Sequence, residues 1–156
     1  MDRLGLRPYT RPVLQNAFHV TFRQEIKSVR YADTDGYGYD RPIRKFFEIP
    51  ALGTVLLCTP CAGLEDLGFV DRESVVVAAP DEVVDAVQWL DKAPDKAQAI
   101  ADRGRTLTSR RHSLTARARQ LTECLAAIDA GTFRGSRWRR GDFCVETVHQ
   151  REYLVS

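Results

Sequence analysis

The sequence predicts an α/β fold in which helices cover a parallel sheet. Two continuous apolar runs of strand length, residues 54–58 and 74–78, are typical of strands buried on both faces of such a sheet. Helical periodicity then dominates the chain as far as residue 128. Strand, helix, strand and helix in this order favour an α/β fold over an all-α or all-β one.

Ahead of the first apolar run, the chain is predicted to form a short helix, an extended segment and a loop. Residues 9–17 have apolar positions suited to a short helix, and they lead into an extended segment at 19–22. Residues 28–40 are polar and contain glycine, which predicts a long loop. A loop of about a dozen residues is uncommon unless it binds a ligand or moves.

Residues 40–53 are predicted to form a helix between this loop and the first apolar run. Asp40 is a candidate N-cap, Pro42 falls in the first turn, and Gly53 is a candidate C-cap. Pro50 has no backbone N–H to donate, so the helix is expected to kink or end close to it.

Three further helices and an Arg-rich segment are predicted after the second apolar run. Their apolar positions are Val83, Val84, Val87 and Leu90, then Ala97, Ile100 and Leu107, then Leu114, Ala118, Leu121, Leu125 and Ile128. Gly131 is expected to end the last helix. We therefore expect a domain over residues 1–131 and a basic C-terminal tail over 132–156, in which four arginines surround Trp138.

The composition excludes several classes of protein. The chain has 156 residues, of which 44% are hydrophobic and 28% charged, as in ordinary globular domains. A formal net charge of +2 is too small to indicate nucleic acid as the main partner. No apolar run approaches the ~20 residues of a membrane-spanning helix. The N-terminus lacks the apolar core of a signal peptide, so we expect a cytoplasmic protein with its four cysteines as thiols.

The helix predicted at 40–53 separates apolar from charged side chains. Its apolar stripe consists of Ile43, Phe46 and Phe47. Its other face carries three cations and one carboxylate: Arg41, Arg44, Lys45 and Glu48. Because the start of a helix also favours anions, this face suits a ligand that combines a diphosphate with a ribose diol. Gly36 and Gly38 in the preceding loop would let a phosphate approach the backbone closely.

A series of motifs between residues 14 and 128 resembles a known family. Residues 45–53, Lys-Phe-Phe-Glu-Ile-Pro-Ala-Leu-Gly, are similar to the motif R/K-x-F-E-I-P-A-x-G. The motifs that follow in order are the apolar strand 54–58, then 73–77, 81–84, 101–105, and 111–113 with Arg117. On these residues the chain resembles the C-terminal domain of group 1 glycosyltransferases of the two-domain (GT-B) architecture. Within that group it is most similar to the spore-maturation CgeB-like branch.

The resemblance implies a single Rossmann-like domain that binds a nucleotide-diphosphate sugar as donor substrate for glycosyl transfer to an unknown acceptor. It implies that Glu48 accepts hydrogen bonds from both ribose hydroxyls and that Lys45 lies near the diphosphate. Many relatives carry a sugar-binding acidic residue eight positions before the ribose glutamate, which is Asp40 here. Further nucleotide-sugar-binding candidates are Arg44, Arg41 and Gly38. No metal and no cofactor other than the donor substrate is implied, and no catalytic residue is assigned.

The resemblance also raises the question of where the acceptor binds. GT-B enzymes place an acceptor-binding domain ahead of this one, whereas the residues before the first predicted strand are too few for a domain of about 50 residues or more. We therefore expect a separate acceptor-binding domain or chain, or a homo-oligomer. The alternative is a non-catalytic nucleotide-sugar-binding or protein-interaction module derived from a truncated glycosyltransferase.

A calcium site is disfavoured by the loop that would have to form it. Residues 33–44 begin with acidic residues at the spacing of a calcium-binding loop. Position 5 of that loop is Tyr37 and position 12 is Arg44, and neither side chain supplies the expected carboxylate.

Two cysteines and a histidine leave other kinds of site open. Cys58 and Cys61 follow a predicted strand as thiol redox pairs do, and a redox role would require Cys58 to be a low-pKa thiolate. The same pair together with Cys144 and His149 has residue types that bind zinc. His112 precedes the last long helix, where a capping or packing role is favoured over a catalytic one.

Overall fold

The computed structural model describes residues 12–148, with their side chains from residue 19 onward apart from that of Tyr37. The helices are α1 (Pro12–Ser28), α2 (Lys45–Ala51), α3 (Val83–Asp91), α4 (Pro94–Leu107) and α5 (Leu114–Asp129). The strands are β1 (Tyr31–Thr34), β2 (Val55–Cys58), β3 (Val76–Val77), β4 (Phe133–Arg139) and β5 (Asp142–Thr147). A 3₁₀ turn spans Gly36–Gly38, and a π-helical turn spans Thr108–His112.

The first three strands form a parallel sheet in the order β1-β2-β3. Thr34 at the end of β1 pairs with Cys58 at the end of β2, and Leu57 pairs with Val76 of β3. The prediction of an α/β fold with a parallel sheet and flanking helices is therefore confirmed. All three strands present their carboxyl ends at the same edge of the sheet.

Strand β2 is the centre of the core, as its continuous apolar sequence predicts. All four of its residues are buried. Leu56 and Cys58 belong to a core cluster that also contains Phe46 and Ile49 of α2. Val55 and Leu57 belong to a second cluster, formed mainly with α3 and α4. Because successive side chains of a strand point to opposite faces, β2 fills the space under both layers of helices.

The segment 19–22 lies inside helix α1, so the prediction that it is extended is wrong. Phe22 and Ile26 stand four residues apart, which is a helical spacing, and Ile26 packs against the core. The hydroxyl of Thr54 donates a 2.7 Å hydrogen bond to the carbonyl of Ile26. The end of α1 is therefore held against the start of β2.

The segment 28–40 contains strand β1, so the prediction that all of it is a loop is wrong. Tyr31, Ala32 and Asp33 pair with β2, and Thr34 is buried. The strand is only four residues long, which is too short for its sequence to show an alternation of apolar and polar residues. Pairing with the buried strand β2 determines its conformation.

The helix predicted at 40–53 is shorter than expected, because α2 begins only at Lys45. Proline disfavours helical angles in the residue before it, so Pro42 keeps Arg41 out of the helix. Asp40 has a positive φ of 44° and is not the N-cap. Gly53, the predicted C-cap, has a φ of 84° and is the residue after the C-cap, which is Leu52.

The C-terminal segment 132–156, which the sequence left as an Arg-rich tail, contains an antiparallel hairpin of β4 and β5. The hairpin contacts the domain at Gly141, whose backbone N–H donates to the carbonyl of Asp66. A Cβ added at Gly68 would lie 2.7 Å from the Cα of Gly141, so the two backbones touch. Arg111 forms a 2.8 Å ion pair with Asp142 at the same contact.

None of the helices within residues 12–148 is both long enough and apolar enough to span a membrane.

Candidate functional site

A cavity of about 560 Å³ lies at the carboxyl ends of the parallel strands. Its lining residues are Asp33, Thr34, Asp35, Lys45, Leu57, Cys58, Thr59, Ala78, Pro80, Val83 and Val84. They come from the ends of β1 and β2, from the residues after β3, and from the starts of α2 and α3. In open α/β sheets, ligands bind outside the carboxyl ends of the strands, so this is the position at which the fold itself predicts a site.

The polar groups of this cavity combine one cation with carboxylates and hydroxyls. Lys45, in the first turn of α2, is the cation among its lining residues. Asp33 and Asp35 provide two carboxylates near the end of β1, and Thr34 and Thr59 provide hydroxyls. An ammonium group attracts an anionic ligand group, whereas carboxylates accept hydrogen bonds from ligand hydroxyls. The lining therefore suits a ligand that has both an anionic group and hydroxyl groups.

A neighbouring cavity of about 490 Å³ has a different charge character. It is lined by residues of the 60–71 segment and by Val77, including the carboxylates of Glu65, Asp66 and Asp71, without a lysine or arginine. Three carboxylates would repel a diphosphate. The Lys45 cavity is therefore the better candidate for an anionic ligand.

Arg44 and Glu48 form an ion pair beside the cavity rather than among its lining residues. The Nε of Arg44 lies 2.7 Å from Oε1 of Glu48, four residues later. The Glu48 side chain is 31% exposed and that of Arg44 is 64% exposed. Arg44 also approaches Nδ1 of His19 at 3.5 Å. A ligand that uses Glu48 would thus meet a carboxylate already oriented by a guanidinium.

Asp40 and Gly38 occupy a turn that is fastened to the residues after β2. The carboxylate of Asp40 accepts a 3.1 Å hydrogen bond from the backbone N–H of Ala62. Gly38 has a φ of 71°, and a Cβ added there would meet no atom within 4 Å. The hydroxyl of Thr59 donates to the carbonyl of Asp35. These contacts hold the 35–41 segment close to the carboxyl edge of the sheet.

The six predicted site residues thus lie in four places. Lys45 lines the cavity, Arg44 and Glu48 pair with each other, and Asp40 lies with Gly38 in the turn that contacts the loop after β2. Arg41 is exposed ahead of α2, so it does not share the helical face predicted for it. Sequence reasoning weighed Asp33 and Asp35 only as calcium ligands, and it missed both of them and Thr34 as cavity residues because it assigned a loop where β1 lies. Thr59, directly after β2, was not singled out either. The signal is positional, since all four residues lie at or next to the carboxyl end of a strand of the parallel sheet.

The cysteine pair does not have the properties of a thiol redox site. Burial, with smaller contributions from Cys61 and Asp71, raises the pKa of Cys58 to about 12. Burial also raises the pKa of Cys61, with a contribution from Asp40. Cys58 is thus a buried thiol and not the low-pKa thiolate that a redox role requires.

Residues 12–148 contain no cluster of three or more His, Cys, Asp or Glu side chains arranged to hold a metal ion. His149, the fourth residue of the zinc site considered from the sequence, lies outside the described residues.

His112 is the centre of an aromatic cluster that joins the hairpin to the core. Its ring stacks on Phe69 at 5.7 Å and lies 5.0 Å from Phe47 and 4.9 Å from Trp138 of β4. Its Nδ1 faces the guanidinium of Arg117 at 3.1 Å. Because a guanidinium only donates, Nδ1 accepts, and Nε2–H donates to the carbonyl of Leu67 at 2.8 Å. These contacts give His112 a packing role.

We expect the stability of the chain to fall in mild acid because of His112. Burial lowers the pKa of His112 from its usual 6.5, with further lowering by Arg117 and Arg111, against the hydrogen bond to Leu67. Below about pH 6.5 the unfolded chain therefore binds this proton more readily than the folded chain. The contribution of neutral His112 to the free energy of unfolding is complete above about pH 6.5, and it is lost as the pH falls through the folded-state pKa of His112.

Urea unfolding at a series of pH values between about 7.5 and 5.5 measures this effect. His112→Gln retains an N–H donor for Leu67 but does not titrate, so its free energy of unfolding should depend less on pH. Equal pH dependence in the two proteins would show that another group is responsible.

Comparison with known proteins assigns the chain to a family. A model of the glycosyl transferase-like family matches residues 15–123, which is more than half of the chain. The matched region contains the parallel sheet, α2 and every residue that lines the Lys45 cavity. No curated protein and no solved structure gives a significant match. The chain therefore belongs to the glycosyl transferase-like family.

Proposed function

We propose that the chain binds a nucleotide-diphosphate sugar in the Lys45 cavity and provides the donor-binding part of a glycosyltransferase. The observation that carries this proposal is the position of Lys45 in a cavity at the carboxyl edge of a parallel sheet, inside the region that matches the family. Such an edge is where open α/β sheets bind nucleotides.

The charges around the cavity support different roles for its lysine and its carboxylates. Lys45 would neutralise part of the diphosphate charge and stabilise the leaving group as the glycosyl bond breaks. Asp33 and Asp35 would accept hydrogen bonds from hydroxyls of the sugar. A diphosphate lying beside Asp33 and Asp35 would be repelled, so the ligand's orientation follows from the charges.

Glu48 is proposed to bind the ribose. One carboxylate accepts hydrogen bonds from both hydroxyls of a vicinal diol, and the ion pair with Arg44 fixes the orientation of the Glu48 side chain. Arg44 is proposed as a second cation for the ligand's phosphates, since it directly precedes Lys45 in the chain. Asp40 is proposed to act through the backbone, because its carboxylate holds the turn that contains Gly38.

We further propose that the chain corresponds to the C-terminal half of a GT-B enzyme of the CgeB-like branch. The motif at 45–53 supports this, since it includes both Lys45 and Glu48. Catalysis would then require an acceptor-binding domain that faces the carboxyl edge of the sheet.

Calorimetric titration of the chain with UDP, GDP and ADP tests the proposal. We expect one of the three to bind, and Lys45→Met to weaken that binding about tenfold, because one charge-assisted hydrogen bond contributes about 1.5 kcal/mol. The matched control is Lys92→Met. The start of α3 lines the cavity, whereas Lys92 lies at the C-terminal end of α3, so this variant should leave binding unchanged. Absence of binding to all three nucleotides would contradict the proposal and favour a non-catalytic interaction module.

A further inference from the structure

Helix α5 exposes a continuous apolar stripe. Leu114 is 87% exposed, Leu121 61%, Leu125 55% and Ile128 54%. Ala118, between the first two, is also exposed. The other side of the helix is the one that packs on its own domain, where Ala116 and Gln120 are buried. Large apolar side chains aligned on one exposed face typically mark an interaction surface.

The spacing of the stripe is that of a helix–helix seam. The five residues follow one another at intervals of four, three, four and three, which is the a/d pattern of a coiled coil. From Leu114 to Ile128 the seam is roughly 21 Å long, at about 1.5 Å per residue. The partner that this surface fits is therefore another helix with a matching seam.

The charges of α5 indicate which helix that is. The last turn contains Asp129 and no basic residue, and the first turn contains no acidic residue. Arg110 and Arg111 lie in the π-helical turn that precedes the helix, where Arg111 also pairs with Asp142. This distribution opposes the helix macrodipole, which favours anions at the N-terminus and cations at the C-terminus. An antiparallel copy of α5 would bring each Asp129 to the basic N-terminal end of the other helix.

We propose that the chain forms an antiparallel homodimer through α5, with the two-fold axis close to Leu121. In this arrangement Leu114 of each copy packs against Ile128 of the other, and the small Ala118 lies beside the large Leu125. The contact is isologous, so the same stripe is buried on both copies. It uses none of the residues that line the Lys45 cavity, because α5 contributes none of them.

Sedimentation equilibrium tests the association. We expect a mass twice the 17.6 kDa of one chain, and a monomer for the double variant Leu121→Glu/Leu125→Glu. The matched control is Val20→Glu, which adds a charge at an exposed valine of α1 and should remain dimeric. Circular dichroism verifies that each variant retains its helices. A monomeric unsubstituted chain, or a double variant that is still dimeric, would overturn the proposal.

Cross-linking tests the orientation of the helices. With Cys124 replaced by serine, Leu121→Cys lies at the two-fold axis and should be linked to its counterpart by a short bismaleimide. Leu114→Cys should not link to itself, since its two copies are roughly 21 Å apart, but should link to Ile128→Cys in a mixture. The Cys124→Ser chain without added cysteines gives the background. Efficient self-linking of Leu114→Cys would indicate a parallel pair and overturn the antiparallel arrangement.

Discussion

Replacing Phe46 by alanine is expected to lower the free energy of unfolding by about 3–5 kcal/mol. The Phe46 side chain is fully buried and belongs to the core cluster between α2 and the sheet. Its removal loses apolar contact and leaves a cavity that the close-packed surroundings fill only in part. Urea unfolding, followed by circular dichroism, measures the change in the free energy of unfolding and in the midpoint.

Two further variants make this result interpretable. Val84→Ala removes an apolar group that is 65% exposed on α3, and it should change the free energy of unfolding by less than about 0.5 kcal/mol. Phe46→Leu keeps much of the side-chain volume, so its free energy of unfolding should lie between those of Phe46→Ala and Val84→Ala. This variant can still be measured if Phe46→Ala does not fold. A Phe46→Ala chain as stable as the Val84→Ala chain would show that α2 does not depend on this contact.

The parts of the fold that the sequence predicts are those whose pattern is strong within the segment itself. Strand β2 is apolar at every position and buried on both faces. Helix α5 follows from its own periodicity, although its apolar stripe faces outward rather than into the core. Periodicity predicts the type of element, whereas the side that is buried depends on what the rest of the chain places next to it.

The parts that sequence reasoning missed depend on contacts between distant segments. The four residues of β1 become a strand by pairing with β2. The hairpin is held by the close contact of Gly68 with Gly141 and by Trp138 packing on His112. None of these partners lies near the segment in sequence, so composition alone indicated a loop and a tail.

In the candidate site, too, residues that belong to a local motif were predicted, whereas residues whose position depends on contacts between distant segments were not. Lys45 was predicted from its position in a motif, and the structure places it in the cavity at the carboxyl edge of the sheet. Arg41 was assigned to the same helical face, but α2 begins only at Lys45, and Pro42 disfavours helical angles at Arg41. From the sequence, Asp33 and Asp35 suggested only a calcium loop, because their position at the carboxyl edge of the sheet is a property of the pairing of β1 with β2.

Replacing Glu48 by alanine is expected to weaken nucleotide binding by about 3 kcal/mol, or roughly 100-fold, because two charge-assisted hydrogen bonds to the ribose are lost. Stability should change little, since the ion pair of Glu48 with Arg44 is partly exposed and joins residues four apart on one helix. Calorimetric titration with the nucleotide that binds the unsubstituted chain measures the affinity, and urea unfolding measures the stability.

The chain offers a matched control for this variant. Arg119 and Glu123 form another arginine–glutamate pair four residues apart, on α5 and outside the lining of the cavity. Glu123→Ala removes that pair without touching the proposed ribose contact, so its affinity should equal that of the unsubstituted chain. If Glu48→Ala and Glu123→Ala bind the nucleotide equally well, then Glu48 acts only as a helix carboxylate and does not bind the ribose. If Glu48→Ala alone is weakened, the carboxylate acts on the ligand, because the loss of an exposed helical ion pair is common to both variants.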